Sequence, residues 1–541
     1  MENCASRLYP WGMKYLFAAL LLLCPAPLLR ASTIYIGTNP SGNADWGLQD
    51  FTADVPMRAP GELGSPWDSD STISIDGAGD VTAPNGFGTY LEAYNYPNGV
   101  YTLTFTATDP TAGQLQASGI ISILSQTISG NTVTAQVQLT HNAVTPAYPN
   151  PLQNGSGWFG WTSGYGTVGD IQLTQPGLTP GGLTPWGLSY LSSYQAIRFM
   201  NLDNVNDNIG TNDTAQVPTS TNNGLQPSYA EQAQWANAAY TAGGGKLNNI
   251  EIEVPVTATD AYIQAVAQQI SSVLNPKIAV KFELGNELWN TATFSQAGYV
   301  LNLAEHNSSL QGSDAFGQQG QEAGILEYHA AQVFEQAMGS NFNVTGVLGG
   351  QGTNTYFADK GREGIENYYG VSQAQLDSVL GDVAVSVYPG DSITSATSVA
   401  DLFSQVRADF ASQATGMAQA EADAKAAGQI LDVYEWSPKG YLTTGGVSSS
   451  IVDAAIDDPG MYTLTQDLYN EVIAPYLMNG STVYAFDGPG SGWGSQVDPS
   501  TSPDQEWLAM QALLATNTGV PEPTCLPAIA FIGWMLSRRL K

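Results

Sequence analysis

The chain has 541 residues, of which 16 are basic and 48 acidic, and its formal net charge at pH 7 is −32. This length allows two or more domains, each with a full hydrophobic core. A surface this negative repels nucleic acid and anionic lipid, which excludes both as main partners. Charged residues are only 12% of the chain and glycine is abundant, with 58 residues. This composition is typical of an exported protein with many strands and turns.

The N-terminal segment carries an export signal. Arg7 and Lys14 precede an apolar run from Tyr15 to Cys24, and small residues follow it. A basic segment, a short apolar segment and small residues, in that order, are typical of a secretory signal peptide. We therefore assign residues 1–32 to a signal peptide.

Cysteine and histidine are too scarce for most metal chemistry. The three cysteines, Cys4, Cys24 and Cys525, all lie in the terminal segments, so the body between them has neither disulfides nor thiolate zinc sites. None of the three histidines has a metal-ligand spacing, and the asparagine- and aspartate-rich run 201–213 lacks the spacing of an EF-hand loop. We expect neither a metal nor a cofactor.

Residues 33–185 have the pattern of an antiparallel β-sandwich. Val100–Ala107 and Thr132–Leu139 alternate apolar and polar side chains, and turn-forming residues separate such runs. Exposed aromatic residues such as Trp158 and Trp161 would let this domain bind sugar. The simpler interpretation, which we favour, is that the domain packs beside a larger one.

Residues 186–518 alternate between predicted strands and predicted helices. The predicted strands are Ala196–Met200, Asn249–Pro255, Ile278–Leu284, Val344–Leu348, Val383–Tyr388, Ile430–Glu435 and Thr482–Phe486. The predicted helices are Glu231–Ala242, Asp260–Leu274, Gln321–Met338, Val399–Ala427 and Thr463–Leu477. Repeated strand–helix pairs predict an α/β fold, a (β/α)8 TIM barrel. The missing eighth strand is either Thr33–Ile36 or near Phe51, which would make the sandwich an insertion after the first barrel strand.

Two predicted strands end in a glutamate beside an aromatic residue. Glu287 follows Asn286 and precedes Trp289, and Glu435 directly precedes Trp436. The carboxyl ends of barrel strands meet at one rim, so two such glutamates suit a two-carboxylate glycosidase. A glutamate at a strand end is common by itself. Glu251 and Glu253, for example, alternate on another strand without supporting context.

In order, spacing and strand context, Asn286, Glu287 and Glu435 resemble the clan A glycoside hydrolases, which are retaining (β/α)8 enzymes. The resemblance spans Gln195 to Trp493. It implies that Glu287 is the general acid/base and that Glu435 is the nucleophile, with carboxyl groups roughly 5 Å apart. It also implies that Glu435 ionises first and that its charge raises the pKa of Glu287.

The same resemblance assigns substrate-binding roles. Asn286 would bind the sugar 2-hydroxyl, Arg198 at the end of the second barrel strand would keep Glu435 ionised, and Tyr388 would lie near the nucleophile. Trp436 and Trp493 would stack on sugar rings or fill packing gaps, and we favour stacking for Trp493.

The chain also departs from the clan pattern. Its third strand ends in Val254-Pro255-Val256 without a histidine, and its last strand ends in Ala485-Phe486-Asp487 without a tryptophan. The identity of the substrate therefore cannot be inferred from the resemblance.

The C-terminal segment contains Pro521-Glu522-Pro523, an apolar run from Cys525 to Leu536 and then Arg538-Arg539. The apolar run is shorter than the ~20 residues of a membrane span. The three parts, in this order, resemble the PEP-CTERM sorting signal. That resemblance assigns residues 519–541 to a sorting tail and implies an exosortase-type processing enzyme as a partner. It also implies a location at the bacterial cell surface or in the extracellular matrix.

The leading hypothesis is an exported retaining glycoside hydrolase that acts on a β-linked polysaccharide. A neutral glucan, mannan or xylan fits better than an anionic polymer, since six of the 16 basic residues lie in the terminal segments. We expect no nucleic acid partner, and membrane contact only through the tail. The alternatives are a non-catalytic carbohydrate-binding or matrix protein on a barrel scaffold, and an adhesin-like matrix component.

Overall fold

The computed structural model describes residues 33–40, 61–63, 72–75, 80–92, 98–140, 156–203, 205–206, 227–310, 314–485 and 504–517. Apart from Thr33, these residues belong to one compact unit, Ile34–Asn517. The predicted signal peptide and sorting tail, as well as Trp493, lie outside the described residues. Among the residues that are described, no helix is both long and apolar enough to cross a membrane.

The first strand of the chain, β1 (Tyr35–Thr38), is separated from the next strand of its own sheet by ten antiparallel strands. These ten strands are β2 (Gly61–Glu62), β3 (Ser74–Ile75), β4 (Val81–Thr82), β5 (Phe87–Glu92), β6 (Gly99–Ala107), β7 (Leu115–Gly119), β8 (Ile121–Ser129), β9 (Thr132–Leu139), β10 (Ser156–Trp161) and β11 (Thr167–Thr174). They form a four-stranded sheet in the order β2-β5-β10-β7 and a six-stranded sheet in the order β3-β4-β11-β6-β9-β8.

The two antiparallel sheets share one apolar core. Along β6 and β9 every second residue is buried, as the alternation predicts. Trp161 lies at the centre of the core, stacked on Phe87 at a centroid distance of 4.8 Å and edge-on to Phe105 at 5.9 Å. Trp161 is fully buried and therefore packs rather than presents a sugar-binding face.

The remaining strands complete a closed barrel of eight parallel strands with β1. They are β12 (Ala196–Arg198), β13 (Asn249–Val254), β14 (Ala279–Leu284), β15 (Val344–Gly349), β16 (Asp382–Val387), β17 (Ile430–Trp436) and β18 (Thr482–Ala485). β1 pairs in parallel with both β12 and β18, which closes the ring. The predicted TIM barrel is confirmed, and its first strand precedes the two antiparallel sheets in the chain.

Helices follow the barrel strands, and their apolar faces cover the outside of the barrel. Those described are α1 (Pro185–Ser193), α2 (Met200–Asp203), α3 (Tyr229–Ala242), α4 (Asp260–Val273), α5 (Ser295–His306), α6 (Ala315–Met338), α7 (Tyr356–Tyr369), α8 (Gln373–Asp377), α9 (Val399–Ala427), α10 (Ser449–Asp457), α11 (Pro459–Asp467) and α12 (Gln505–Thr516). Side-chain caps begin several of them. Ser228 and Glu231, for instance, form a reciprocal capping box at the start of α3.

The interior of the barrel is polar, whereas branched aliphatic residues usually fill it. Lys281 on β14 forms ion pairs with Asp382 on β16, at 2.9 Å, and with Asp432 on β17. Across the barrel, the Tyr484 hydroxyl donates to the Asn249 side chain at 3.0 Å. Side chains at alternate strand positions share a face. The residues two positions further along these strands therefore also point into the barrel, and they lie nearer to the carboxyl ends of the strands.

Candidate active site

Arg198, the last residue of β12, is fully buried at the carboxyl end of the barrel. Its Nε atom lies 2.8 Å from a carboxylate oxygen of Glu251 and 2.8 Å from one of Glu253. Its Nη2 atom lies 2.7 Å from Glu283, and its Nη1 atom lies 3.1 Å from Glu435. These five residues form the Arg198 cluster, in which one guanidinium faces four buried carboxyl groups.

The Arg198 cluster changes the interpretation of Glu251 and Glu253. The sequence pattern offered no context for either residue, but the structure brings both against the only cation of the cluster. Oxygens of Glu251, Glu253 and Glu283 lie within 4.8 Å of one another, a spacing that would suit a metal ion. The guanidinium of Arg198 contacts all three, so it is the cation that these carboxylates bind.

Asp203 of α2 extends the buried acidic group beyond the cluster. Its carboxylate accepts hydrogen bonds from Gln232 Nε2 at 2.6 Å and from the Glu253 backbone N–H at 3.0 Å. Burial raises the pKa of Asp203 to about 8 and that of Glu253 well above its ordinary range. These carboxyl groups therefore retain protons at a pH where exposed carboxyl groups have lost them.

Glu287 lies just beyond β14 in a tight, left-handed stretch of backbone. Gly285 has a φ of +74°, and Glu287 itself has a φ of +47°, which is uncommon for a residue with a side chain. The Glu287 carboxylate accepts hydrogen bonds from the Tyr434 hydroxyl at 3.1 Å and from Asn290 Nδ2 at 2.9 Å. Burial is the main cause that raises its pKa.

Asn286 is held between two other side chains. Its Oδ1 atom accepts a hydrogen bond from Arg198 Nη2 at 3.0 Å, and its Nδ2 atom donates to Asn206 Oδ1 at 2.8 Å. This asparagine therefore links the backbone before Glu287 to the Arg198 cluster.

A β-bulge in β17 decides which side chains face the site. Val385 of β16 pairs with Val433, and the next residue, Ser386, pairs with Glu435, so Tyr434 is the extra residue. Because of the bulge, Tyr434 and Glu435 both point into the barrel mouth, Tyr434 toward Glu287 and Glu435 toward Arg198.

The same bulge turns Trp436 away from the site, which corrects its predicted role in sugar stacking. Trp436 is only 1% exposed, and its ring lies 5.9 Å from that of Tyr469 in the helical layer. A regular strand would have placed Trp436 on the same face as Tyr434. Trp289 is half-buried against the barrel core.

Tyr388, directly after β16, contacts Glu435. Its hydroxyl donates a hydrogen bond to Glu435 Oε2 at 2.7 Å, while Arg198 Nη1 donates to Glu435 Oε1 at 3.1 Å. Both carboxylate oxygens of Glu435 therefore have a donor, and the carboxyl group is 4% exposed.

Burial raises the pKa of both glutamates, Glu287 and Glu435. Burial raises the pKa of Glu435 to about 8, and the negative charge of Glu287 adds to the rise. Arg198 and Tyr388 act in the opposite direction, but Arg198 is shared with three other carboxyl groups. Arg198 therefore favours the ionised form of Glu435, but its charge is divided among four carboxyl groups.

The sequence interpretation missed two polar residues at the barrel mouth. Tyr434 donates to Glu287, and its ring centroid lies 5.4 Å from the Arg198 guanidinium carbon. Asn39, directly after β1, is fully buried, and within the described part of the chain neither its Nδ2 nor its Oδ1 atom has a hydrogen-bond partner. Alternation along β17 would have indicated Tyr434, whereas no local pattern marks Asn39.

The fold and the site together define a (β/α)8-barrel protein with two glutamates at the carboxyl ends of β14 and β17. Burial raises the pKa values of Tyr388 and Tyr434, and the negative charges of Glu287 and Glu435 raise both further, so these four residues form one charge-coupled group. Such a group can donate a proton from one carboxyl and offer a nucleophilic oxygen from the other.

No protein-family model and no curated protein sequence matches the chain. Among solved structures, it is similar to a modular endo-β-1,4-mannanase from Cellulomonas fimi, with 14% identity, 63% of this chain and 68% of that chain covered, and a TM-score of 0.36. It is also similar to a Clostridium thermocellum endo-1,4-β-D-xylanase, with 12% identity, coverage of 80% and 90%, and a TM-score of 0.37. A broad-specificity endoglucanase from Ruminococcus champanellensis matches with 10% identity, coverage of 62% and 86%, and a TM-score of 0.35. Similarity this distant supports no functional assignment, which must therefore come from the residues of this chain.

Proposed function

We propose that this chain is a retaining glycoside hydrolase in which Glu287 is the general acid/base and Glu435 the nucleophile. The observation that carries the proposal is the charge-coupled group at the barrel mouth. Tyr434 holds one glutamate and Tyr388 holds the other, at the ends of two barrel strands. A surface glutamate would have neither the burial nor the fixed donors.

In the first step, a carboxylate oxygen of Glu435 attacks the anomeric carbon while Glu287 gives its proton to the leaving glycosidic oxygen. In the second step, Glu287 takes a proton from water, and the water oxygen attacks the anomeric carbon and displaces Glu435. The hydrogen bonds from Arg198 and Tyr388 orient Glu435 for the attack and stabilise it when it leaves.

The substrate class that we propose is a neutral, β-linked polysaccharide such as a glucan, mannan or xylan. Both described cations of the barrel interior, Arg198 and Lys281, are already paired with buried carboxylates. A chain with a net charge of −32 would also repel a polyanionic substrate. We further propose export through residues 1–32 and sorting to the bacterial surface or matrix through the tail, residues 519–541.

The test is hydrolysis of aryl β-glycosides and soluble neutral polysaccharides by the wild type, Glu435→Gln and Glu287→Gln. We expect Glu435→Gln to lose activity by at least about 10³-fold. Glu287→Gln should retain activity mainly on substrates whose leaving group needs no protonation. Glu305→Gln, on the exposed part of α5, is the matched control and should behave as wild type.

Two outcomes would contradict the proposal. Activity that survives Glu435→Gln would exclude the two-glutamate mechanism. Polysaccharide binding without turnover, unaffected by either substitution, would instead identify a non-catalytic carbohydrate-binding protein on a barrel scaffold.

A further inference from the structure

A small cavity lies behind the Arg198 cluster, between β14, β15 and the helices α6 and α7. It offers about 20 Å³ to the centre of a water molecule, which is room for one water. Two acidic side chains, Glu283 from β14 and Glu327 from α6, line it together with apolar side chains and glycines.

Glycines allow the cavity to exist at this contact between two helices. A Cβ atom on Gly324 of α6 would lie 2.4 Å from the backbone of Gly361 on α7, so these helices pack backbone to backbone. A Cβ on Gly349, at the end of β15, would lie 3.1 Å from Glu283 Oε1. A methyl group at position 349 would therefore intrude between the cavity and Glu283.

Glu327 presents an unsatisfied oxygen in this region. Its Oε2 atom accepts a hydrogen bond from the Leu284 backbone N–H at 2.6 Å, but its buried Oε1 atom has no partner among the residues that the structure describes. An unpaired buried carboxyl oxygen costs about 1–3 kcal/mol, which a water in the cavity would relieve. Burial also raises the pKa of Glu327 well above its ordinary range, which favours the protonated form.

Glu283 connects this cavity to the candidate nucleophile. Its Oε2 atom accepts from Arg198 Nη2 at 2.7 Å, and Arg198 Nη1 donates to Glu435. Glu283 and Glu435 thus compete for one guanidinium, and the negative charge of Glu283 raises the pKa of Glu435.

The charged groups that face Glu283 lie on the barrel strands, in the turn after β14 and on α6. Arg198 favours its charged form, while Glu251, Glu253, Glu287, Glu327 and Glu435 oppose it. The residues that line the cavity from β15 and α7 are apolar or glycine. Among the cavity-lining residues, Glu327 is therefore the one titratable group besides Glu283 itself.

We propose that Glu283 and Glu327 are positioning residues that share a hydrogen bond through a water in this cavity, and that the pair sets the ionisation of Glu435. Glu327 Oε1 donates its proton to the water oxygen, and the water donates to Glu283 Oε1. This donor, together with Arg198, keeps Glu283 ionised, and the ionised Glu283 leaves less of the guanidinium charge for Glu435. The inference rests on the proposed function only for its kinetic readout.

The test is the acid limb of the pH profile of kcat/KM, which reports deprotonation of the nucleophile in the free enzyme. Glu283→Gln removes the competing charge and should move the limb to lower pH by about one unit. Glu327→Leu and Gly349→Ala remove the donor or the water, so Glu283 protonates more readily and the limb moves in the same direction by less. Glu327→Gln retains an N–H donor and should leave the limb in place.

A double variant and a control make the test specific. Gly349→Ala combined with Glu283→Gln should shift the limb no further than Glu283→Gln alone. Glu335→Gln, exposed on α6, removes the same charge without touching the cavity and should have no effect. Variants that lower activity or stability but leave the limb at its wild-type pH would overturn the proposal, because a purely structural role does not move it.

A second readout does not depend on catalysis. Infrared difference titration of the full chain, with Glu435→Gln used to identify the Glu435 carboxyl band, gives its protonation directly. If no substrate is turned over but this band still shifts in Glu283→Gln and Gly349→Ala, the proposed function fails and the inference holds. If the band titrates at the wild-type pH in both variants, the inference fails whatever the activity.

Discussion

At the scale of single residues, the site depends on hydrogen-bond donors to a buried carboxyl group. Without these donors, burial would keep that group protonated. Glu435 has two, Tyr388 on one oxygen and Arg198 on the other. Hydrogen bonds to the charged form of a carboxyl group lower its pKa, whereas burial raises it. The activity of a nucleophilic carboxylate at neutral pH therefore depends on each donor separately.

Tyr388→Phe should lower kcat/KM about 10- to 100-fold and move the acid limb of its pH profile to higher pH. The reason is that Glu435 loses a donor to its ionised form while its burial is unchanged. The measurement is kcat/KM against pH, with Tyr368→Phe on the exposed face of α7 as the control. A loss of activity with an unmoved limb would show that Tyr388 acts on substrate rather than on Glu435.

Arg198→Met should destabilise the protein by about 3–5 kcal/mol at pH 8, because it leaves four buried carboxyl groups without a cation. The loss should be smaller at pH 5, because burial raises the pKa values of Glu253, Glu283 and Glu435 and favours their uncharged forms there. Urea unfolding at both pH values measures it. Arg407→Met is the comparison, since the ion pairs of that half-exposed arginine should contribute at most about 1 kcal/mol.

At the scale of elements, the backbone departs from regular geometry at the ends of β14 and β17. Each departure sets the orientation of a candidate catalytic glutamate. β14 ends in two left-handed residues, Gly285 and Glu287, which turn the chain sharply. β17 carries a bulge that brings Tyr434 and Glu435 to the same side. Strained or irregular backbone at such positions persists only where the surrounding packing enforces it.

Gly285→Ala should therefore disrupt the site. Its φ of +74° disfavours any Cβ, and that Cβ would lie 2.6 Å from Gln296 Oε1 and 2.7 Å from Leu288 Cδ2. We expect a loss of more than about 1 kcal/mol in the free energy of unfolding, together with a large loss of activity. Gly298→Ala, within α5 and with open space around the added methyl group, should instead stabilise by about 0.5–1 kcal/mol and keep full activity. Equal effects of the two substitutions would contradict this interpretation.

At the scale of the whole molecule, buried acidic side chains outnumber buried basic ones among the described residues. Burial raises the pKa of Glu283 to about 7 and that of Asp432 to about 8, as it does for Asp203 and Glu435. Between their ordinary values near 4 and these raised values, the folded state binds more protons than the unfolded state. The stability that these groups contribute is thus complete below pH 4 and is lost as the pH rises toward 8.

The melting temperature should fall by several degrees between pH 5 and pH 8. Glu253→Gln should reduce this dependence, because burial raises the pKa of Glu253 well above its ordinary range although Arg198 Nε lies 2.8 Å from its carboxylate. Calorimetry at 0.5 M salt separates the buried groups from surface repulsion, which salt screens. A melting temperature that rises over this pH range would show that the buried carboxyl groups are ionised in the folded state.

Local patterns were sufficient to predict the positions of most barrel elements. Period-2 and period-3.6 hydrophobicity depend only on neighbouring residues, so β13 and β14 were predicted to within one residue at each end and α9 without error. The two strand-end glutamates were also visible, because an apolar strand that ends in a carboxylate is a local feature. The first barrel strand was harder, since the two antiparallel sheets separate β1 from its neighbour β12 in the chain.

The remaining features of the site depend on contacts between strands that are distant in the sequence. Which carboxyl groups share Arg198 depends on the meeting of β12, β13, β14 and β17 across the barrel, and no local pattern encodes that meeting. The bulge that turns Trp436 outward arises from the pairing of β17 with β16, whereas the sequence of β17 alone predicts regular alternation. The ionisation of the two glutamates also depends on these long-range contacts. The sequence identified Glu287 and Glu435, but their pKa values depend on burial and on charges that only the closed barrel brings together.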